Sequence, residues 1–151
     1  MKLEHIMSYH ADLAPPQDVG KTAFGTRQIF EVTGGTFEGP GLNGKLLTCG
    51  GDWLLTDDEG IGRLDVRATF LTDDGAHIYM QYAGILELNE KAASALAAGG
   101  GTEYGDHYFM TQPRFETGDE RYAWLNRTVA VAEGRIRPSA VEYKVYACAL
   151  D

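Results

Sequence analysis

The stretch Gly50–Met80, GGDWLLTDDEGIGRLDVRATFLTDDGAHIYM, holds three runs of strand-forming residues separated by two acidic turns. Asp73-Asp74-Gly75 suits a three-residue hairpin loop, a type I turn closed by a glycine at positive φ. Thr72 then pairs with Ala76, and the pairs below it keep one register. Phe70 faces Ile78, Ala68 faces Met80, Val66 faces Tyr82 and Leu64 faces Gly84, which makes one continuous apolar surface. The opposite surface collects Thr69 with Tyr79, Arg67 with Gln81 and Asp65 with Ala83. A two-residue loop would mix the two classes, so the pattern selects the three-residue register.

The preceding turn sets the direction of Asp52. With Asp57-Asp58-Glu59-Gly60 as a four-residue loop, Thr56 pairs with Ile61, Asp52 stands opposite Asp65, and Trp53 joins the apolar surface opposite Leu64. Asp52, Asp65 and Arg67 then converge, with Tyr79 and Gln81 alongside. A loop one residue longer turns Asp52 to the other face and breaks the cluster. Antiparallel sheets ordinarily have one solvated face, which is the plain reading of these polar residues. Facing carboxylates repel, however, and an arginine between them offsets the repulsion. In a partly dry pocket such a trio raises one carboxylate's pKa and holds the other ionised, the arrangement that acid–base chemistry requires.

Strand-like runs continue along the chain, at Leu3–Leu13, Thr26–Thr33, Lys45–Leu55, Ile61–Leu71, Ala76–Leu88, His107–Phe115, Ala123–Ala132 and Ser139–Leu150. Turn or bulge formers separate them, among them Gly34-Gly35, the Gly39–Gly44 segment and Glu133-Gly134. One helix is expected, with Asn89 capping EKAASALAA and Gly99-Gly100-Gly101 ending it. Eight or more short antiparallel strands with one helix define an all-β sandwich or barrel. We favour a closed antiparallel barrel, because closure removes sheet edges and few edge-protecting devices are visible. No repeat, linker or composition shift divides residues 1–151, so a single domain is expected.

The chain carries 13 basic and 22 acidic residues, a net charge of −9. That balance argues against nucleic acid or an anionic membrane as partner, since both require clustered Lys and Arg. No run approaches the ~18 apolar residues of a membrane helix. The N-terminal stretch alternates apolar and polar residues, as a strand does and a signal peptide does not. Cys49 and Cys148 have no CxxC spacing and read as buried free thiols in a reducing cytoplasm, the alternative being a disulfide between them. His5, His10, His77 and His107 are scattered without HxxxH or HExxH spacing, and DDEG lacks the spaced ligands of a calcium loop. Neither a nucleophile elbow nor a phosphate-binding loop occurs, so no metal and no cofactor is expected.

A second candidate region, YFMTQPRFETGDERYAWLN, gathers Tyr108, Glu116, Tyr122, Trp124 and Asn126. Read as a strand, Tyr122, Trp124 and Asn126 share one face, either an aromatic wall with an amide handle in a pocket or a core or oligomer contact.

The blocks GGTFEGPGLNGKLL, GGDW, LDVRATFLTDDGAHIYM, YFMTQPRFE and RYAWLN resemble the family catalogued as domain of unknown function 3237, small bacterial and fungal proteins. The similarity extends over nearly the whole chain. It implies a closed, barrel-like antiparallel fold and a homo-oligomer, and brings no established general activity. On that resemblance the shared polar set matches Asp52, Asp65, Arg67, Tyr79, Tyr108, Glu116, Tyr122, Trp124 and Asn126. Met110 stands where an arginine is expected in a YFRT-like block, which weighs against an anion contact there.

Three readings follow. The first is a cofactor-independent isomerase, cyclase or lyase acting on a small, partly apolar carbonyl or phenolic compound in the barrel. In it Asp52 or Asp65 moves a proton and Arg67 stabilises the anion. Tyr79, Tyr108, Glu116, Tyr122, Trp124 and Asn126 contact the substrate. The second is a small-molecule-binding barrel without chemistry, and the third is an interaction module whose aromatic residues form an oligomer interface.

Overall fold

The computed structural model describes all 151 residues. Ten strands follow in order: β1 (Lys2–Leu13), β2 (Gln17–Thr22), β3 (Gly25–Glu38), β4 (Gly44–Leu46), β5 (Gly50–Thr56), β6 (Ile61–Thr72), β7 (His77–Glu87), β8 (Phe109–Glu116), β9 (Ala130–Arg137) and β10 (Ala140–Ala149). Helix α1 (Glu90–Ala97) lies between β7 and β8, and a 3-10 helix spans Glu120–Arg127. The hydrogen-bonded neighbours run β1–β10–β9–β8–β7–β6. β5 joins β6 to β3, and β3 pairs with β1. Eight antiparallel strands thus close into a barrel-like ring. β4 spans the same gap as β5 at the far end of β3, and β2 adds an edge to β3. Two short helices are present where one was expected; no helix is long and apolar enough to cross a membrane.

The hairpin of β6 and β7 adopts the expected register, from Phe70 opposite Ile78 down to Leu64 opposite Gly84. Gly75 closes its loop at φ 92°, and the Thr72 N–H donates to the Ala76 carbonyl at 2.9 Å. One parity of this hairpin (Leu64, Val66, Ala68, Phe70, Ile78, Met80, Tyr82) is buried in the barrel core. The other parity, with Asp65 and Arg67, forms the exposed outer wall.

The hairpin of β5 and β6 departs from the four-residue expectation. Thr56 pairs with Gly62, Asp52 with Val66 and Gly51 with Arg67. The reason is the Asp57 side chain, whose Oδ1 accepts the N–H groups of Glu59 at 2.9 Å and Ile61 at 3.0 Å. It draws Asp57 into the ladder and leaves Asp58-Glu59-Gly60 as the loop, with Gly60 at φ 81°. Trp53 consequently faces outward and is 37% exposed, not packed in the core.

Other segments also differ from the sequence reading. Gly34-Gly35 lies inside β3, where Gly35 lets β1 approach so closely that a Cβ would fall 2.0 Å from the His10 carbonyl oxygen. Glu133-Gly134 lies inside β9; a Cβ on Gly134 would meet the Tyr143 ring at 2.8 Å and the Phe109 ring at 2.9 Å. The β9–β10 turn falls instead at Pro138-Ser139, between the paired Arg137 and Ala140. Of the expected strand Ala123–Ala132 only Ala130–Ala132 is strand, as the start of β9, because Asp119 caps a 3-10 helix over Glu120–Arg127 by accepting the Arg121 N–H at 2.9 Å. Asn89 caps α1 as expected, accepting the Ala92 N–H at 2.9 Å. Both cysteines are free thiols, but neither is buried.

Candidate functional site

β5 alternates in and out, so Gly50, Asp52 and Leu54 turn toward the interior while Trp53 turns out. The β5–β6 ladder loses its rungs at Trp53 and Leu54. There the Trp53 carbonyl accepts from the Arg27 guanidinium at 2.6 Å. The Asp65 N–H, left without that acceptor, donates to Asp52 Oδ1 at 3.2 Å. This bond anchors one carboxylate oxygen to the strand and leaves the carboxyl group facing the barrel interior.

That interior holds a cavity of about 230 Å3. Apolar side chains dominate its wall, among them Phe30, Leu54, Leu64, Val66, Leu86 and Phe109. Gln28, Asp52, Tyr82 and Tyr143 are its polar features inside the ring, and Arg137 lies with the exposed residues Pro15, Pro16, Leu96 and Ser139 at its outer end. The Tyr82 hydroxyl donates to the Tyr143 hydroxyl at 2.9 Å. Tyr9 pairs with Tyr143 across β1 and β10 and stacks on it, with ring centroids 4.9 Å apart. Its buried hydroxyl has no hydrogen-bond partner.

Burial strips the Asp52 carboxyl of water and pushes its pKa up to about 7. The Asp65 N–H and Arg27 oppose that rise, and the Asp65 carboxylate adds to it. Burial likewise raises Tyr9, Tyr82 and Tyr143 well above the usual phenol range, so all three stay protonated. The site therefore combines one carboxyl group poised near neutrality with phenolic donors in an apolar enclosure.

The expected convergence of Asp52, Asp65 and Arg67 does not occur, since only Asp52 points inward. Arg67 stands exposed on the outer face of β6. Asp65, Tyr79, Glu116 and Asn126 meet instead along an open groove on the outer wall of β6, β7 and β8. Tyr108, 54% exposed, lines a second outer groove with Met110 and Ile85. Tyr122, Trp124 and Asn126 do not share a strand face. Tyr122 is buried and donates to Asp74 Oδ2 at 2.7 Å, pinning the 3-10 helix to the β6–β7 loop. Asn126 clamps the backbone of Thr117, accepting its N–H at 2.8 Å and donating to its carbonyl at 2.9 Å. Trp124 remains 37% exposed.

Tyr9, Tyr82 and Tyr143 were not anticipated as site residues. Their signal was present: each occupies the apolar phase of its strand, where a phenol brings a polar tip into an otherwise hydrophobic wall.

Fold and cavity together define a closed antiparallel barrel with a lone interior carboxyl group. The model of the family described as "Protein of unknown function (DUF3237)" matches residues 1–148, and the chain belongs to that family. It is 31% identical over 125 residues to a UPF0311 protein of Rhodopseudomonas palustris, a match covering 83% of this chain and 82% of that one. Among solved structures it is similar to a beta-barrel like protein from Acinetobacter baumannii, with 38% identity and a TM-score of 0.83 over 97% of this chain and 94% of the other. An enzyme from Penicillium herquei shares the fold at a TM-score of 0.71 and 20% identity, over 96% and 93% of the two chains.

Proposed function

We propose that the protein is a cofactor-independent acid–base enzyme acting on a small, partly apolar carbonyl or phenolic metabolite held in the barrel, with Asp52 moving the proton. The observation that carries this reading is a single carboxyl group, raised to about 7, in a mostly apolar cavity. A general base or acid works best when its pKa lies near the working pH, and burial is how a carboxyl group reaches that value. The cavity volume of about 230 Å3 suits a compound smaller than the drug-sized ligands of ~300–1,000 Å3 pockets. Isomerisation, cyclisation, dehydration and retro-aldol cleavage all share a first step in which a C–H or O–H proton passes to such a group. The description of the fold-sharing Penicillium herquei protein as an enzyme is compatible with this reading.

Hydrogen–deuterium exchange at the α-carbon tests the proposal without knowledge of the later steps. Cyclohexanone, acetophenone and 2-tetralone are incubated with the protein in D2O and followed by proton NMR. The expected result is exchange above the buffer rate, reduced at least about 100-fold in Asp52→Asn. Equal exchange by both proteins, or none above buffer, contradicts the catalytic role. Binding without exchange would instead favour a barrel that only holds its ligand, the reading supported by the apolar lining alone.

A further inference from the structure

We infer that the hydroxyls of Tyr82 and Tyr143, backed by Tyr9, form a binding site for a ligand oxygen, taking the anion-stabilising role that the sequence suggested for Arg67. The inference deepens the acid–base reading and rests on it for its catalytic consequence only.

Each tyrosine hydroxyl has one O–H to donate. The Tyr82–Tyr143 bond of 2.9 Å uses one of the pair's two protons, whichever ring supplies it, and neither hydroxyl donates to any other protein group. The Tyr9 hydroxyl is buried without a partner. One proton of the Tyr82–Tyr143 pair is therefore unspent, and the Tyr9 hydroxyl, turned toward Tyr82, lacks a full hydrogen bond, although buried donors are nearly always satisfied. Both belong to one cluster: Tyr9 stacks on Tyr143 at 4.9 Å, and Tyr82 meets the Tyr143 ring edge-on at 5.5 Å. Tyr82 and Tyr143 line the same cavity as Asp52. The phenols remain protonated, so they act as donors and not as bases. Donors fixed in a water-poor enclosure stabilise a negative oxygen strongly, because they need no reorganisation when charge develops.

The ligand class follows as an apolar body ending in a carbonyl or enolisable oxygen. In the forward step the α-C–H bond breaks, its proton passes to ionised Asp52, and the bonding pair moves through the C–C bond to the carbonyl oxygen. The resulting enolate oxygen accepts from the tyrosine cluster. Asp52 is neutral once it holds the proton, so the transfer leaves the net charge of the site unchanged.

The test compares two probes of nearly equal shape, 4-fluoroacetophenone and 1-ethyl-4-fluorobenzene, by fluorine NMR titration. Only the ketone offers an oxygen acceptor. The native protein is expected to bind the ketone at least 10-fold more tightly. Tyr82→Phe and Tyr143→Phe should each reduce that preference at least 5-fold while leaving affinity for the hydrocarbon unchanged, and Asp52→Asn should keep it. Equal affinities in the native protein, no ketone binding, or a preference lost in Asp52→Asn but kept in both tyrosine variants would overturn the inference. The native comparison needs no variant to fold. A ketone preference without α-exchange leaves this site standing and removes the enzyme reading; Asp52-dependent exchange without a preference does the reverse.

Discussion

Inside the barrel the Asp52 carboxyl exchanges water for an apolar wall and one backbone N–H, and the cost falls on its charged form. Its pKa is about 7 in the native protein and near 3.8 when the chain is unfolded. Between those values the native state holds a proton that the unfolded state has released. Stability therefore falls as pH rises through that window and is lowest above it. At about 1.4 kcal/mol per pKa unit, the loss is of the order of 4 kcal/mol. Arg27, Asp65 and the three buried tyrosines act on Asp52 in both limits, so comparison with Asp52→Asn isolates the carboxyl itself. Urea unfolding at pH 4.5 and 8 should show the variant gaining on the native protein at the higher pH; an unchanged difference would contradict burial of the charge. Tyr9 offers a second residue-scale expectation. Its orphan hydroxyl costs the fold about 1 kcal/mol or more, so Tyr9→Phe should raise the urea midpoint. A lowered midpoint would mean that the hydroxyl is satisfied. Residue types were legible in the sequence, but the inward turn of Asp52 depended on one residue of loop length, and tyrosines in an apolar phase passed as plain core.

The loops of the β5–β6 and β6–β7 hairpins share one length. Thr72–Ala76 and Asp57–Ile61 are closed by the same device, a three-residue loop ending in glycine at positive φ, at Gly75 and Gly60. The N–H of each glycine donates back to the residue before its loop, Gly75 to Thr72 at 3.0 Å and Gly60 to Asp57 at 3.1 Å. Reading the second turn by analogy with the first would have placed Asp52 correctly. Gly134 deceived in the opposite sense: glycine marked a turn to the eye, whereas here it makes room for two rings. Gly134→Ala should cost about 1–3 kcal/mol by forcing Tyr143 and Phe109 apart. Urea unfolding measures the loss, and a neutral result would show that the rings yield freely. The 3-10 helix was hidden because Tyr122, Trp124 and Asn126 satisfy strand periodicity equally well. Contacts distant in sequence, from Tyr122 to Asp74 and from Arg121 to Asp74, decide it.

At the scale of the whole molecule, alternation and turn spacing made an antiparallel barrel legible, while the route of closure was not. β1 closes the ring by pairing with β10 on one side and β3 on the other. Such pairings join chain segments far apart in sequence, and no local pattern encodes them. Gly35 is the tight point of the β1–β3 seam, at φ 141° with no space for a side chain. Gly35→Val should open that seam, seen as lost amide-exchange protection in β1 while the β6–β7 hairpin keeps its own. Uniform protection in the variant would contradict the seam's role. Closure is also what buries the Asp52 carboxyl and raises its pKa, so the two properties stand or fall together. The most direct measurement is a carbon-13 NMR titration of the Asp52 side-chain carboxyl in the native protein. A midpoint near pH 7 is the expected result; a midpoint near pH 4 would contradict an Asp52 carboxyl sheltered inside the barrel.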